Sequence, residues 1–244
     1  MKKTLIKIIE AGGQMSNSKK QSGKFSVIIR TKNEEKWIGH TIQSIIDNIK
    51  KPQIIIIDNK SEDRTLHIVK QFIEDPKLKD TSDLYTDIKI SIVDEYSPGK
   101  SLNLGVKNSK YENVFFISAH CVLNKFNSKK MIKNLNSFKA IFGKQIPIWE
   151  GKKISKRYIW SHFVDKEVIN MYSKFEKRYF FHNAASIFKK SFLKKFPFDE
   201  NLTGKEDRYW VKNIIKKGYS YLYDPSFEVF HHYTPEGNTW KGLG

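Results

Sequence analysis

Apolar positions along this chain alternate between a continuous or two-residue rhythm and a spacing of three to four, which marks strands alternating with helices. Phe25 to Arg30 is a short β-rich run and Ile54 to Ile57 a continuous apolar strand. Between them Trp37, Ile38, Ile42, Ile45, Ile46 and Ile49 recur at helical spacing, so a helix is expected from Glu34 to Ile49. This β-α-β unit predicts a buried parallel sheet, because parallel strands need a crossover and continuous apolar strands need cover on both faces. A second helix is expected from Ser61 to Phe72, capped by Ser61, and then a strand from Ile88 to Val93. Ser101 to Asn108 suits a short helix, Asn113 to Ser118 a strand, and Ser128 to Phe142 a basic amphipathic helix.

Beyond that point the pattern loosens. Gly143 to Ile159 looks like a basic loop, and Trp160 to Phe181 is aromatic and expected to be helical in part. Ala184 to Phe188 is strand-like, and Pro197 stops any helix begun at Phe192. Asp207 to Lys217 carries Trp210, Val211, Ile214 and Ile215 at helical spacing and is closed by Gly218. Tyr219 to Tyr223 and Phe227 to Phe230 suit two strands. Residues 11 to 24 are small, polar and basic, so 1–24 is expected to be a flexible lead-in to one domain over 25–244. A chain of 244 residues is long enough for one large α/β domain with a substantial core.

Charge changes the picture of possible partners. Lys and Arg number 44 against 26 Asp and Glu, for a net charge of +18, and most of the excess lies after residue 120. From Val122 to Arg157 there are ten basic residues and one acid, Glu150, interleaved with Phe126, Phe138, Phe142 and Trp149. Such a segment suits either an anionic surface or a solvated lysine-rich face. No zinc-ligand spacing or nucleic-acid recognition motif accompanies it, which speaks against a nucleic-acid binder. The single cysteine, Cys121, excludes an intrachain disulfide and fits a reducing compartment, so cytosol is expected. Lys7 and Glu10 interrupt the apolar start short of a secretion signal, and the longest apolar runs fall far below the roughly 20 residues of a membrane span. Any membrane contact is therefore expected to be peripheral.

In open α/β sheets ligands gather beyond the carboxyl ends of the strands, where Asp58 follows its strand directly. Asp58 is placed to accept from a nucleotide, with Thr31, Asn33 and Glu34 lining the same crevice; Asp58 and Ser61 equally suit a helix cap. Glu206 and Asp207 open the later helix, where carboxylates suit either acid–base chemistry or the helix dipole.

Taken in order, Phe25-Ser26-Val27-Ile28-Ile29-Arg30-Thr31-Lys32-Asn33-Glu34-Glu35 and Ile55-Ile56-Ile57-Asp58-Asn59-Lys60-Ser61-Glu62-Asp63-Arg64-Thr65 resemble the family-two glycosyltransferases of GT-A fold. The likeness continues through Gly99-Lys100-Ser101-Leu102-Asn103-Leu104-Gly105, Phe198-Asp199-Glu200, Glu206-Asp207, Gly218-Tyr219 and Val229-Phe230-His231-His232. It implies a GT-A-type fold with a mostly parallel central sheet flanked by helices. Residues 25–121 would form the nucleotide-binding half and 122–244 the acceptor half. It also implies inverting transfer of a sugar from a nucleotide-sugar donor to an acceptor hydroxyl of a glycan or lipid-linked chain. Asp58 would bind the nucleotide with Thr31, Asn33, Glu34, Lys100 and Asn103, and Asp207, tuned by Glu206, would be the base.

One motif departs from the family. Where an Asp-x-Asp pair usually follows an apolar strand and holds a divalent cation, this chain has Ser118-Ala119-His120. Two readings follow: His120, with His231 or His232, ligates a cation such as Mn or Mg, imidazole favouring Mn; or Lys, Arg and His stabilise the leaving group without metal. Ser118 and His120 are donor-site candidates in both, and His120 and His232 are the metal candidates. The segment 122–157 is expected to dock on the inner face of a membrane holding the acceptor, and 234–240 to close as a lid.

Overall fold

The computed structural model describes residues 23–79, 85–155, 158–235, 237 and 240. Strands β1 (Phe25–Thr31), β2 (Gln53–Asp58), β3 (Asp87–Ile92) and β4 (Asn113–Ser118) form a parallel block in the order β3-β2-β1-β4. Strand alternation sorts their side chains onto two faces. Val27, Ile29, Ile54 and Ile56 meet Ile42 and Ile45 of α1 (Ile38–Asn48) and Val69 of α2 (Thr65–Glu74). Leu78, from the short α3 (Pro76–Lys79), joins that core. Ile28, Ile55 and Ile57 face the other way, onto Leu102 and Val106 of α4 (Pro98–Asn108). The continuous isoleucine run of β2 is thus explained by cover on both sides.

The second half turns the sheet from parallel to mixed. After β5 (Cys121–Lys125) come α5 (Ser128–Ser137), β6 (Ala140–Trp149), β7 (Lys152–Lys153) and a 3₁₀ turn at Tyr158–His162. Then follow β8 (Val168–Ile169), β9 (Tyr172–Ser173), β10 (Arg178–Tyr179), β11 (Ala185–Lys189), α6 (Lys190–Lys195), α7 (Glu206–Lys216) and β12 (Leu222–His232). The sheet continues β4-β11-β6-β12-β5, with β11 antiparallel to both neighbours and β12 parallel to β6. β9 and β10 form a separate two-stranded hairpin.

Several local expectations change. The helix expected to run to Phe142 ends at Ser137, and Ala140–Trp149, expected mostly as loop, is a central strand. Its lysine and glutamine hid an alternation that pairing with β11 and β12 makes plain. Helix α1 starts at Ile38 rather than Glu34, and α2 at Thr65 rather than Ser61. Asp63, not Ser61, accepts from the Thr65 N–H at 2.9 Å. Trp160–Phe181 holds the end of the 3₁₀ turn and short strands rather than a helix. The two strands expected around residues 219–230 are one, with a register shift between Asp224 and Glu228, where Pro225 lacks an N–H for the ladder.

Gly99 has a packing reason. A Cβ there would stand 2.2 Å from the Asp199 carbonyl oxygen, so only glycine lets α4 press against the 198–200 loop. Asn103 pins the same joint, donating to the Phe198 carbonyl at 2.9 Å and accepting from its N–H at 3.1 Å.

Candidate active site

The carboxyl ends of three parallel strands set a row of polar residues. Ser118 stands beside Arg30 in the β4–β1 register, and Thr31 beside Asp58 in the β1–β2 register. The Thr31 hydroxyl is buried without a hydrogen-bond partner among the described residues. Two loops rise from this row and interlock. The Asn33 N–H donates to Ser61 Oγ at 2.9 Å while the Glu62 N–H donates to Asn33 Oδ1 at 2.9 Å. The Glu34 N–H donates to Thr65 Oγ1 at 2.7 Å, and Asn33 itself adopts a positive φ of 53°. Asp58 is fully buried, and its carboxylate accepts from the Ser61 N–H at 2.9 Å and the Ser61 hydroxyl at 2.6 Å. Each carboxylate oxygen has two lone pairs, so this internal use leaves acceptor capacity.

Facing the row is the first turn of α7. Arg30 donates to Glu206 Oε1 at 3.3 Å, and the Asn183 N–H donates to Asp207 Oδ2 at 3.3 Å. Loss of solvent pushes the Glu206 carboxyl above its ordinary range, with Arg30 pulling it down and Asp207 pushing it further up. Loss of solvent likewise raises Asp207, opposed by the N–H groups of Asn183 and Arg208 and by the guanidinium groups of Arg208 and Arg178. A carboxylate more basic than usual, ringed by cations and held by a backbone donor, is suited to taking a proton.

Behind the site runs a chain of imidazoles. His120 Nδ1 donates to Glu34 Oε1 at 2.7 Å, and the His120 and His231 rings lie 4.9 Å apart. His231 Nδ1 donates to Gln145 Oε1 at 2.8 Å, and Gln145 Nε2 donates to His182 Nδ1 at 2.9 Å. The amide of Gln145 therefore fixes opposite tautomers on its two histidine neighbours. His231 is 1% exposed and its Nε2 has no hydrogen-bond partner among the described residues. Burial holds His231 well below the usual histidine range and lowers His182 to about 4, with Arg178, Arg208 and Arg30 adding to the His182 shift.

The model of the family described as "Glycosyl transferase family 2" matches residues 26–196. The chain belongs to that family. Poly(ribitol-phosphate) beta-N-acetylglucosaminyltransferase TarS of Staphylococcus aureus is 32% identical over 105 residues, which are 42% of this chain and 17% of that protein. The solved structure of S. aureus TarS 1-349 in complex with UDP-GlcNAc superimposes with a TM-score of 0.65 at 22% identity, covering 88% of this chain and 60% of that one. Mannosyltransferase PcManGT from Pyrobaculum calidifontis, in complex with GDP-Man and Mn2+, gives a TM-score of 0.63 at 17% identity, covering 89% and 59%. The fold is thus that of GT-A glycosyltransferases, and this chain spans only part of the length of these proteins.

Within this family-2 fold Lys100 and Asn103 are engaged elsewhere, while the two metal candidates are backbone neighbours, the His232 N–H donating to the His120 carbonyl at 3.0 Å. Lys100 is half-exposed and pairs with Glu95 at 3.2 Å, and Asn103 is committed to the 198–200 loop, also donating to Glu200 at 2.9 Å. The His232 ring stacks on Trp37 at 3.8 Å and lines an open cleft of about 430 Å³ with His40 and Asp47, while His120 is turned to Glu34. Among the described residues no three His, Cys, Asp or Glu side chains are gathered as a metal-binding set. Ser118-Ala119-His120 offers no carboxylate, and the nearby Glu34 carboxylate accepts from His120, so these residues do not fit a carboxylate-held Mg or Mn ion. The expected lid falls partly outside the described residues, at 236, 238 and 239; Trp240 packs on Trp160 with rings 5.1 Å apart and donates to the His232 carbonyl. Sequence reasoning missed Arg30, Gln145 and Arg178. A guanidinium at the end of the apolar run Phe25–Ile29, and an amide inside a covered strand, were the signals available.

Proposed function

We propose that this chain transfers a sugar from a nucleotide-sugar donor to an acceptor hydroxyl by inverting displacement, with Asp207 as the base. The observation that carries the reading is the Asp207 carboxyl itself. It is made more basic by its surroundings, held by the Asn183 N–H, and set at the carboxyl-end crevice of a family-2 fold. Asp207 takes the acceptor proton as the acceptor oxygen attacks the anomeric carbon and the nucleotide leaves with the bonding pair. Glu206 and Arg30 position it, because Glu206 precedes it on the same turn and is anchored to strand β1.

The donor sits over the row Thr31, Asp58 and Ser118, with Asn33 and Glu34 shaping the mouth. Complexes of the structural relatives with UDP-GlcNAc and GDP-Man support a nucleotide sugar there. Negative charge on the leaving group falls to His120 and the neighbouring guanidinium groups, and no step is assigned to a metal ion. The acceptor is a surface polysaccharide or glycolipid precursor at the inner face of the cell membrane. The name of the 32% identical relative, a poly(ribitol-phosphate) transferase, favours a polyol-phosphate chain among these.

The test is donor binding and turnover with UDP-GlcNAc, UDP-glucose and GDP-mannose, with and without Mn2+, on the wild type and Asp207→Asn. One donor should bind both proteins alike while transfer or slow hydrolysis falls by about 10²- to 10⁴-fold in the variant. Binding without turnover in either protein would leave a nucleotide-sugar-binding module, and no binding at all would sink the reading.

A further inference from the structure

The basic segment 122–157 is a poorer membrane face than its composition suggests. Phe142 is fully buried, and Phe126 and Phe138 pack against the core. Lys130 is taken by Glu167 and Asp224, Lys144 by Asp165 and Glu228, and Lys125 by Glu228. Trp149 and Ile154 of this segment keep part of their surface, at 43% and 37%, but the most exposed large apolar side chain among the described residues, Phe175, stands on the β9–β10 hairpin.

At the tip of that hairpin Phe175 is 89% exposed, between the exposed lysines Lys174 and Lys177. Tyr172, 53% exposed, faces Tyr179 across the ladder with rings 5.4 Å apart, extending the aromatic surface down one side. A single exposed apolar residue is ordinary; this one is presented by a braced turn. Ser173 Oγ accepts from the Glu176 N–H at 3.1 Å and bonds His162 Nε2 at 2.8 Å. The His162 ring stacks on Phe180 at 4.1 Å, and Arg178 pairs with Glu176. Lys177 turns the tip with a φ of 50°. These contacts lock the turn while leaving Phe175 no protein surface to cover it. At its base the hairpin packs on α7, and the Arg178 charge acts on Asp207.

We propose that the β9–β10 hairpin is a membrane-docking element for anionic lipid. Phe175 enters the boundary between head groups and acyl chains, Tyr172 lies at head-group level, and Lys174 and Lys177 contact lipid phosphates. The pairing of an apolar tip with flanking lysines that have no ion-pair partner among the described residues, on a chain of net charge +18, selects an anionic bilayer over a neutral apolar partner. Docking this way brings the α7 end of the crevice to the bilayer surface.

The experiment exploits Cys121, which is buried and is the chain's single cysteine. Phe175→Cys carrying a polarity-sensitive dye is mixed with vesicles of phosphatidylcholine alone or with phosphatidylglycerol, and wild type, Phe175→Ser and Lys174→Gln/Lys177→Asn are co-sedimented with the same vesicles. The dye should shift to the blue only with phosphatidylglycerol present. Phe175→Ser should weaken vesicle binding by at least about tenfold, and loss of the lysines by about fivefold per charge, with melting temperatures unchanged. Wild-type binding retained by Phe175→Ser overturns the proposal, as does an equal dye shift with a soluble anionic polymer. Vesicle binding is read without turnover, so its outcome is separate from that of the catalytic reading.

Discussion

Arg30 and Glu206 are separated by 176 positions in the chain and by 3.3 Å in space. The pair ties the end of β1 to the start of α7, and the Glu206 side chain keeps only 8% of its exposure. A partner removed from a buried pair leaves the other charge uncompensated. Arg30→Met should therefore cost about 3 kcal/mol in urea unfolding, and adding Glu206→Gln should restore a large part of it. Absence of that recovery would show that the arginine acts through packing alone.

With Asp207 as the proposed base, the same geometry sets a pH dependence for catalysis. Burial raises both carboxyls of the Glu206–Asp207 pair, so the acid limb of kcat/KM should lie above the ordinary aspartate value of 3.8 and belong to the pair. Arg178 and Arg208 hold the Asp207 value down. Replacing either by Gln should move the acid limb to higher pH, whereas a limb that stays fixed would remove these cations from the environment of the base. Profiles of kcat/KM for wild type and the two variants decide it.

How much of this was legible depends on range. The parallel block β3-β2-β1-β4 could be anticipated because β1, β2 and β4 carry continuous apolar runs, β3 alternates isoleucine with polar residues, and the crossovers carry local helical periods. β6 could not, because Lys144 and Gln145 interrupt its apolar pattern and are answered by residues remote in sequence, Asp165 and Glu228 for the lysine and His182 and His231 for the amide. The Glu206–Asp207 couple stood out as acids opening a helix, but its Arg30 anchor is a contact between the two ends of the fold. The Ser118-Ala119-His120 departure was visible in sequence; that His120 turns to Glu34 was not.

Gln145 offers a direct probe of the imidazole chain. It is fully buried, and its amide meets His231 on one side and His182 on the other. Gln145→Leu keeps the approximate volume while removing the acceptor of His231 Nδ1–H and leaving His182 Nδ1 the longer bond from the Ala184 N–H at 3.4 Å, so a loss of about 1 to 3 kcal/mol is expected, chiefly from the orphaned His231 donor. Gln145→Glu, which accepts but cannot donate as an amide does, should keep the His231 bond and lose the His182 bond. A leucine variant as stable as wild type would mean that the chain is not holding the sheet together.

Acid should unfold this protein earlier than its lysine content alone implies, and the sign can be worked from the histidines. His182 and His232 are lowered from 6.5 to about 4, chiefly by burial, so the folded state prefers them neutral. Above 6.5 both folded and unfolded states hold neutral rings and stability is full. As pH falls from 6.5 towards 4 the unfolded chain binds protons that the folded chain refuses, and stability drops, by up to about 3 kcal/mol for His182 alone. The raised carboxyls of Glu206 and Asp207 act in the opposite direction, binding protons in the folded state first, and soften the fall. His232→Phe preserves a ring to stack on Trp37 while removing one titrating site, so its urea midpoint should decline less steeply across this window than that of the wild type. Equal slopes for the two proteins would show that His232 is not held neutral by the fold.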